Sequence, residues 1–225
     1  MPVPYPLPDF LSPEIQYRGT MPWKDVALSI DPGKTIKDQW GGNVMIEYEK
    51  PAMIESANVI TEFGGDILNI GFGLGLIDSA IESFREERGI KKRGIKKHTI
   101  IEVHPQIHDI MRTDGWYNKP DVEVIEADWF DVIDDLPQYD AVFFDTYFDV
   151  NYELFFKKAP GLIKPGGILS FYNDFDNHQW GSFVQNAVSS YGRPFECTFV
   201  PGHIVSYFDV EADPPEYLIP RILFS

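Results

Sequence analysis

The stretch Leu68-Asn69-Ile70-Gly71-Phe72-Gly73-Leu74-Gly75 is a short apolar run that ends in three alternating glycines. A run of this length closing on glycines reads as a buried strand entering a tight turn, and the apolar spacing from Leu76 to Glu87 then reads as a helix. The rhythm repeats downstream. His98–Val103 reads as a second strand followed by a helix from about Pro105 to Asp114, and Val122–Glu126 as a third strand with a short turn or helix to Asp135. Tyr139–Asp145 is the fourth strand, Tyr152–Leu162 its helix, and Lys164-Pro165-Gly166-Gly167 a turn launching the strand Ile168–Tyr172. A helix from about Gln179 to Ser190 precedes two strands, Glu196–Val200 and Tyr217–Phe224, read as antiparallel. Repeated βα units predict an α/β, mostly parallel, doubly wound Rossmann-like sheet that binds ligands at the carboxyl ends of its strands.

Upstream of this pattern, residues 1–40 are Pro-rich and irregular, with isolated aromatics at Tyr17, Trp23 and Trp40. They read as an arm laid over a main domain of residues 41–225, because flexible linkers lack such aromatics. Trp23 or Tyr17 is a candidate lid. Met45, Tyr48, Ala52/Met53 and Ala57 are spaced as one helix face between Met45 and Thr61.

With 225 residues, 44% of them hydrophobic, the chain can bury one substantial core. No apolar run approaches the roughly 18 residues of a membrane span. The first residues have neither the basic nor the apolar region of a secretory signal. The single cysteine, Cys197, excludes an internal disulfide framework and fits a reducing compartment, with Cys197 itself a small buried hydrophobe. The expected setting is cytoplasmic, without membrane association. A net charge of −16 disfavours nucleic acid and favours cationic substrates. Between Asp121 and Phe156 stand eleven Asp or Glu and no Lys, Arg or His; most belong to a solvated face, but several fall at strand ends. The opposite run, Arg85–His98, has seven Lys or Arg and reads as a solvated connection.

The first strand-to-helix turn of such a sheet approaches the cofactor closely, and glycine there avoids a Cβ clash. Gly71, Gly73 and Gly75 supply that turn. Leu76 stands where a dinucleotide fingerprint requires glycine, and the G-x-G-x-G spacing is instead that of class I S-adenosylmethionine-dependent methyltransferases. A carboxylate ending the second strand can accept both ribose hydroxyls, which points to Glu102 beside Val103. At the end of the third strand, Asp128 or a neighbouring amide is expected near the adenine amino group, with Trp129 against the ring. No metal ligand set is expected.

Three blocks narrow the family: Val44–Met53, which holds Glu49-Lys50-Pro51, then Leu68–Gly75, then Phe144-Asp145-Thr146-Tyr147. They resemble guanidinoacetate N-methyltransferase and the fungal type IV arginine Nδ-methyltransferase. His104-Pro105-Gln106, Asp114–Asp121 and Ser170–Asn173 resemble the fungal enzyme more closely. The resemblance covers about residues 40–175 and weakens to Pro214-Pro215-Glu216-Tyr217 and Pro220 thereafter. It implies S-adenosylmethionine as cofactor and a guanidinium as acceptor, with Glu49 and Asp145 as catalytic carboxylates and Asp145 also beside the cofactor. It further implies Met45 and Met53 around the cofactor, although core packing fits their spacing as well.

That assignment is physically coherent. A guanidinium is planar, keeps its charge, and must meet a cationic sulfonium; adjacent carboxylates offset the repulsion, align the nitrogen and can take the proton. Two departures stand out. Asn69 replaces the acid that commonly precedes the glycines, so this cofactor position lacks a charge for the methionine ammonium. Ile46 then Glu47 stand where the family has the first of paired glutamates. The extension of the fungal enzyme is not in this sequence, which leaves little for docking a protein. The leading expectation is therefore N-methylation of a small guanidino acid such as guanidinoacetate. The alternatives are methylation of a protein arginine and a non-catalytic binding module. Oligomeric state is not legible.

Overall fold

Strand β4 (Gly65–Ile70) is apolar on both faces, as a strand covered by helices on both sides must be. Alternate residues divide between two cores. Leu68 and Ile70 join Val142, Phe144, Trp129, Phe155 and Phe156 on one face. Ile67, Ala141 and Phe143 join Met53, Ala57, Ile60, Ile77 and Ile81 on the other. In this computed structural model, described over residues 21–88, 94–147, 152–172, 195–202 and 217–225, β4 is an interior strand of a seven-stranded sheet, next to the central strand.

The strands flanking it are β5 (Ile95–Glu102), β6 (Val122–Glu126), β7 (Tyr139–Phe144), β8 (Ile163–Phe171), β9 (Phe195–Gly202) and β10 (Tyr217–Phe224). Their spatial order is β6-β5-β4-β7-β8-β10-β9. Strands β4 to β8 pair in parallel, and β10 runs antiparallel to both β8 and β9. The expected α/β sheet with an antiparallel C-terminal strand is thus present. The chain leaves β4 first toward β5 and later returns to its other side as β7, so the topological switch point lies between β4 and β7.

Helices α1 (Lys50–Ile60), α2 (Leu76–Arg88), α3 (Pro105–Thr113), α4 (Trp129–Val132) and α5 (Tyr152–Lys158) accompany the strands. None is long and apolar enough to cross a membrane among the described residues.

Three expectations need correction. Met45 is not on a helix: it lies in strand β3 (Asn43–Ile46), and the helix begins only at Lys50 after a 3-10 turn over Glu47–Glu49. The arm is not irregular over its whole length, since β1 (Leu28–Asp31), β2 (Thr35–Asp38) and β3 form an antiparallel meander that crosses residue 40. Lys164–Gly167 does not precede β8 but bulges within it: Ile163 pairs with Tyr139 and Ile168 with Ala141, leaving four residues between the pairs. The bulge carries Lys164 to the start of β4 and β7, where its Nζ lies 2.8 Å from both Asp66 Oδ2 and Asp140 Oδ2. The Gln179–Ser190 helix, Tyr17 and the Cys197 side chain lie outside the described residues.

Much of the acidic run is partnered. Glu123 pairs with Lys97 at 2.7 Å, Glu126 with Arg112 at 2.7 Å, Asp134 with Lys158, and Asp140 with Lys164. The run therefore gathers cations from elements distant in sequence.

Candidate active site

The site is assembled by backbone bonds at the carboxyl ends of β5, β4 and β7. Gly71 N donates to Ile101 O at 2.9 Å, and Asp145 N donates to Ile70 O at 2.9 Å. The three strand ends are thereby held side by side. Gly71 has φ 93°, and a Cβ built on it would lie 1.8 Å from Asp145 O. No side chain fits there. Gly73 has φ 55°, and its missing Cβ is replaced by Met45, whose Sδ would stand 2.7 Å away. Met45 is buried, and its Sδ accepts from Leu74 N at 3.1 Å, so the meander is seated on the glycine turn.

Glu102 ends β5 nearly buried. Its Oε2 accepts from Phe72 N at 2.9 Å, and its Oε1 accepts from Val103 N at 2.8 Å and His104 N at 2.7 Å. Three amides fix the carboxylate to the turn and to its own strand end. A carboxylate has about four acceptor positions, so with three taken, one remains on Oε2 for a ligand hydroxyl. Ala127 N donates to Glu102 O at 3.1 Å, which brings the β6 end alongside. Asp128 is exposed there and caps α4, its Oδ1 accepting from Phe130 N at 3.0 Å. Trp129 departs from expectation. Its ring is 4% exposed and stands edge-on to Phe144 and Phe155 at 5.7 and 5.6 Å, so it is committed to the core. Met53 is likewise fully buried core.

Glu49 is half-buried, and its Oε1 accepts from Ile46 N at 3.2 Å, tying the 3-10 turn that leads into α1 back to the end of β3. Glu47 is exposed. Met45 joins the segment preceding Glu49 to the glycine turn.

Asp145 is half-buried, reachable by solvent but crowded by protein. Burial pushes its carboxyl up to about 7, and the negative charges of Asp78 and Glu102 add to that effect. A carboxylate held this far out of its usual range at a strand end favours any cation that arrives beside it.

Beyond Asp145, Tyr147 OH donates to Asp38 Oδ2 at 3.1 Å, and Trp23 lies 5.1 Å from both Tyr147 and His104 between ring centroids. His104 Nε2 bonds Val26 O at 2.8 Å, while Gln106 and Leu28 exchange bonds of 2.8 and 3.1 Å. The arm thus lies across the β5 and β7 ends, with Trp23 packed between His104 and Tyr147.

The match that decides the family is a sequence model of guanidinoacetate N-methyltransferase covering residues 17–213. The chain belongs to the guanidinoacetate N-methyltransferase family. Among curated relatives, the Protein arginine N-methyltransferase 2 of Saccharomyces cerevisiae is 39% identical over 207 residues, 84% of this chain and 45% of the relative. Those of Eremothecium gossypii (34% over 190 residues; 77% and 44%) and Candida glabrata (31% over 204 residues; 81% and 47%) are similar in extent. The chain spans a little under half the length of these relatives.

Solved structures share the architecture at low identity. Spermidine synthase from Thermotoga maritima has a TM-score of 0.57 at 14% identity, covering 88% of this chain and 68% of that one. Precorrin-6y C5,15-methyltransferase from Geobacter metallireducens has a TM-score of 0.52 at 15%, covering 81% and 89%. The fold of this family member is therefore that of class I S-adenosylmethionine-dependent methyltransferases.

Asn69 turns out to belong to a buried network that sequence reading missed. It is fully buried, and its Nδ2 donates to Gly71 O at 2.8 Å and to Asp78 Oδ1 and Oδ2 at 2.9 and 3.0 Å. Asp78, in the first turn of α2, lies 3.0 Å from His98 Nε2, and Glu82 Oε1 lies 3.0 Å from His98 Nδ1. Asp78, Glu82 and Arg85 fall at i, i+4 and i+7 of α2, a charged row on a face turned to the sheet, which is the signal that could have found them.

Burial alone would push the His98 imidazolium down, but a carboxylate at each ring nitrogen outweighs it and raises the pKa above 6.5. A proton bound more tightly in the folded state stabilises fully below 6.5 and loses that effect as pH rises through the folded value. The denaturation midpoint of the wild type is accordingly expected to decline on the alkaline side of pH 6.5 more steeply than that of His98→Gln. Parallel curves for the two proteins above that pH would show that the ring is uncharged when folded.

Proposed function

We propose that this chain transfers the methyl group of S-adenosylmethionine to a guanidinium nitrogen, and that the acceptor is an arginine side chain. The observation that carries the first half is Asp145, whose backbone carbonyl lies against Gly71 of the turn and whose carboxyl is pushed up to about 7, chiefly by burial. The curated relatives, named as protein arginine methyltransferases, favour arginine over guanidinoacetate as acceptor. The name of the matching family is the observation on the other side and makes a small guanidino acid the second reading.

The cradle fits the cofactor: a left-handed turn packed from within the protein by Asp145 O at Gly71 and by Met45 at Gly73, beside a carboxylate fixed at the neighbouring strand end. Gly71, Gly73 and Gly75 would pass the turn beneath it, Glu102 beside Val103 would accept a ribose hydroxyl, and Asp128 would face the adenine amino group. Met45, beneath Gly73, would support its methionine half. When bound, it supplies an electrophilic methyl on a sulfonium. Asp145 and Glu49 then accept the paired N–H donors of the guanidinium and orient one nitrogen toward that methyl. Asp145 would receive the proton that the guanidinium nitrogen gives up on methylation.

The test supplies labelled S-adenosylmethionine with guanidinoacetate, free arginine or a whole-protein extract as acceptor. Label is expected in protein, recoverable as methylarginine after hydrolysis. Label in guanidinoacetate alone would overturn the arginine assignment, and no transfer to any acceptor despite cofactor binding would favour a binding module.

A further inference from the structure

We infer that Asp78 supplies, from helix α2, the negative charge that the glycine motif lacks at position 69, and that Asn69 relays it to the methionine end of the cofactor. The inference rests on the cofactor reading above and deepens it.

Position 69 immediately precedes the turn, where an acid would serve the methionine ammonium. In this chain the strand provides an amide instead, and an amide brings no charge. Yet the amide is fully buried and donates through one nitrogen to two kinds of acceptor: the Gly71 carbonyl within the turn and both oxygens of Asp78. The acid stands nine residues further along the chain, one hydrogen bond from position 69.

A fully buried carboxylate stays ionised only if its surroundings hold the charge. Here Asn69 donates on one side, and His98 stands 3.0 Å away on another. His98 is itself backed by Glu82, which lies 3.3 Å from Arg85. The row therefore alternates in sign from the turn outward, with its negative end nearest the cofactor. That field reaches the crevice, because Asp78 is one of the two charges that help raise the Asp145 carboxyl. Asp78 and Asn69 are positioning residues in this account: they shape the charge of the turn and do not handle the transferred methyl.

The experiment compares two ligands by calorimetry, S-adenosylhomocysteine, which carries the amino-acid end, and 5′-methylthioadenosine, which lacks it. Asp78→Asn is expected to weaken S-adenosylhomocysteine about tenfold or more while leaving methylthioadenosine within about twofold. Asn69→Asp/Asp78→Asn, which returns the charge to the strand, is expected to restore most of the lost preference. Equal weakening of both ligands in Asp78→Asn would reduce Asp78 to a structural role and overturn the inference. If Asp78→Asn does not fold, Asn69→Leu carries the same comparison: loss of the preference supports the relay, and retention overturns it. Wild-type protein that binds neither ligand would instead sink the cofactor reading on which the inference stands.

Discussion

Asp145→Asn is expected to lower methyl transfer by about a hundred- to ten-thousand-fold, the usual range for removing a positioned acid–base group. S-adenosylhomocysteine affinity should change only a few-fold. The substitution keeps the shape and the backbone bond from Asp145 N to Ile70 O, 2.9 Å long, that holds the β4 and β7 ends together. What it removes is a charge in a desolvated place. The same argument fixes a pH dependence. With the carboxyl held up to about 7 by burial and by Asp78 and Glu102, half of the free enzyme is protonated near neutrality. The protonated form neither attracts a guanidinium nor accepts its proton. Wild-type kcat/KM should therefore fall with a one-proton slope as pH drops through about 7, since this parameter reports the free enzyme. The limb in kcat should lie at lower pH, because a bound sulfonium and guanidinium favour the ionised carboxylate. Substantial activity in Asp145→Asn, or a flat wild-type kcat/KM between pH 5.5 and 8, would remove Asp145 from the chemistry.

The parts of this molecule legible in sequence are those set by local pattern. Strand β4 and the glycines announce themselves because an apolar run and a φ-positive turn are each written in a few adjacent residues. Glu102 and Asp145 follow, since the end of a strand is a position that counting can reach. The misreadings share a different cause. Val44, Met45 and Ile46 are apolar in succession, which fits either period, and the helix spacing toward Ala57 was as good as the strand that formed. Only the tertiary seat of Met45 under Gly73 decides between them. Trp129 follows the end of β6, but Asp128 caps a helix at that point and the next side chain turns inward, an outcome that depends on the space beside Phe144 and Phe155. Asp78 is legible only as a member of the charged row it forms with Glu82 and Arg85 along α2; its partners Asn69 and His98 sit on two different strands, and spacing along the chain does not point to them.

The network also couples the charge on the helix to the turn. The Gly71 carbonyl and Asp78 share the Asn69 amide, so the conformation of the turn and the charge beneath it are fastened by one side chain. An aspartate at position 69 with Asp78 unchanged would set two carboxylates in contact with no donor between them, a repulsion that asparagine at position 78 removes by supplying an amide N–H to the new carboxylate. The two positions are thus expected to exchange identities together and to tolerate single changes poorly.

Gly71→Ala is expected to produce the largest loss of stability of any single methyl addition in the turn. The left-handed φ of 93° costs an alanine about 1–2 kcal/mol by itself. The new Cβ would also stand 1.8 Å from Asp145 O, a contact that only backbone displacement relieves, at about 1–3 kcal/mol more. Displacement is resisted from both sides, by the 2.9 Å bond from Gly71 N to Ile101 O and the 2.9 Å bond from Asp145 N to Ile70 O. A total of about 2–5 kcal/mol is a large share of the roughly 5–15 kcal/mol that a domain has. Gly33→Ala is the matching control, because Gly33 has φ 72° but nothing within 4 Å of its Cβ position, so only the conformational cost applies. Chemical denaturation should place Gly71→Ala well below Gly33→Ala, and calorimetry should find S-adenosylhomocysteine binding lost in the first and kept in the second. The two effects have one origin: whatever motion relieves the clash separates the end of β4 from the end of β7, and so moves Asp145 away from the turn it must face. Equal stability of the two variants, with binding intact in both, would mean that the strand ends can part without consequence and that the close approach at Gly71 is not what aligns the site.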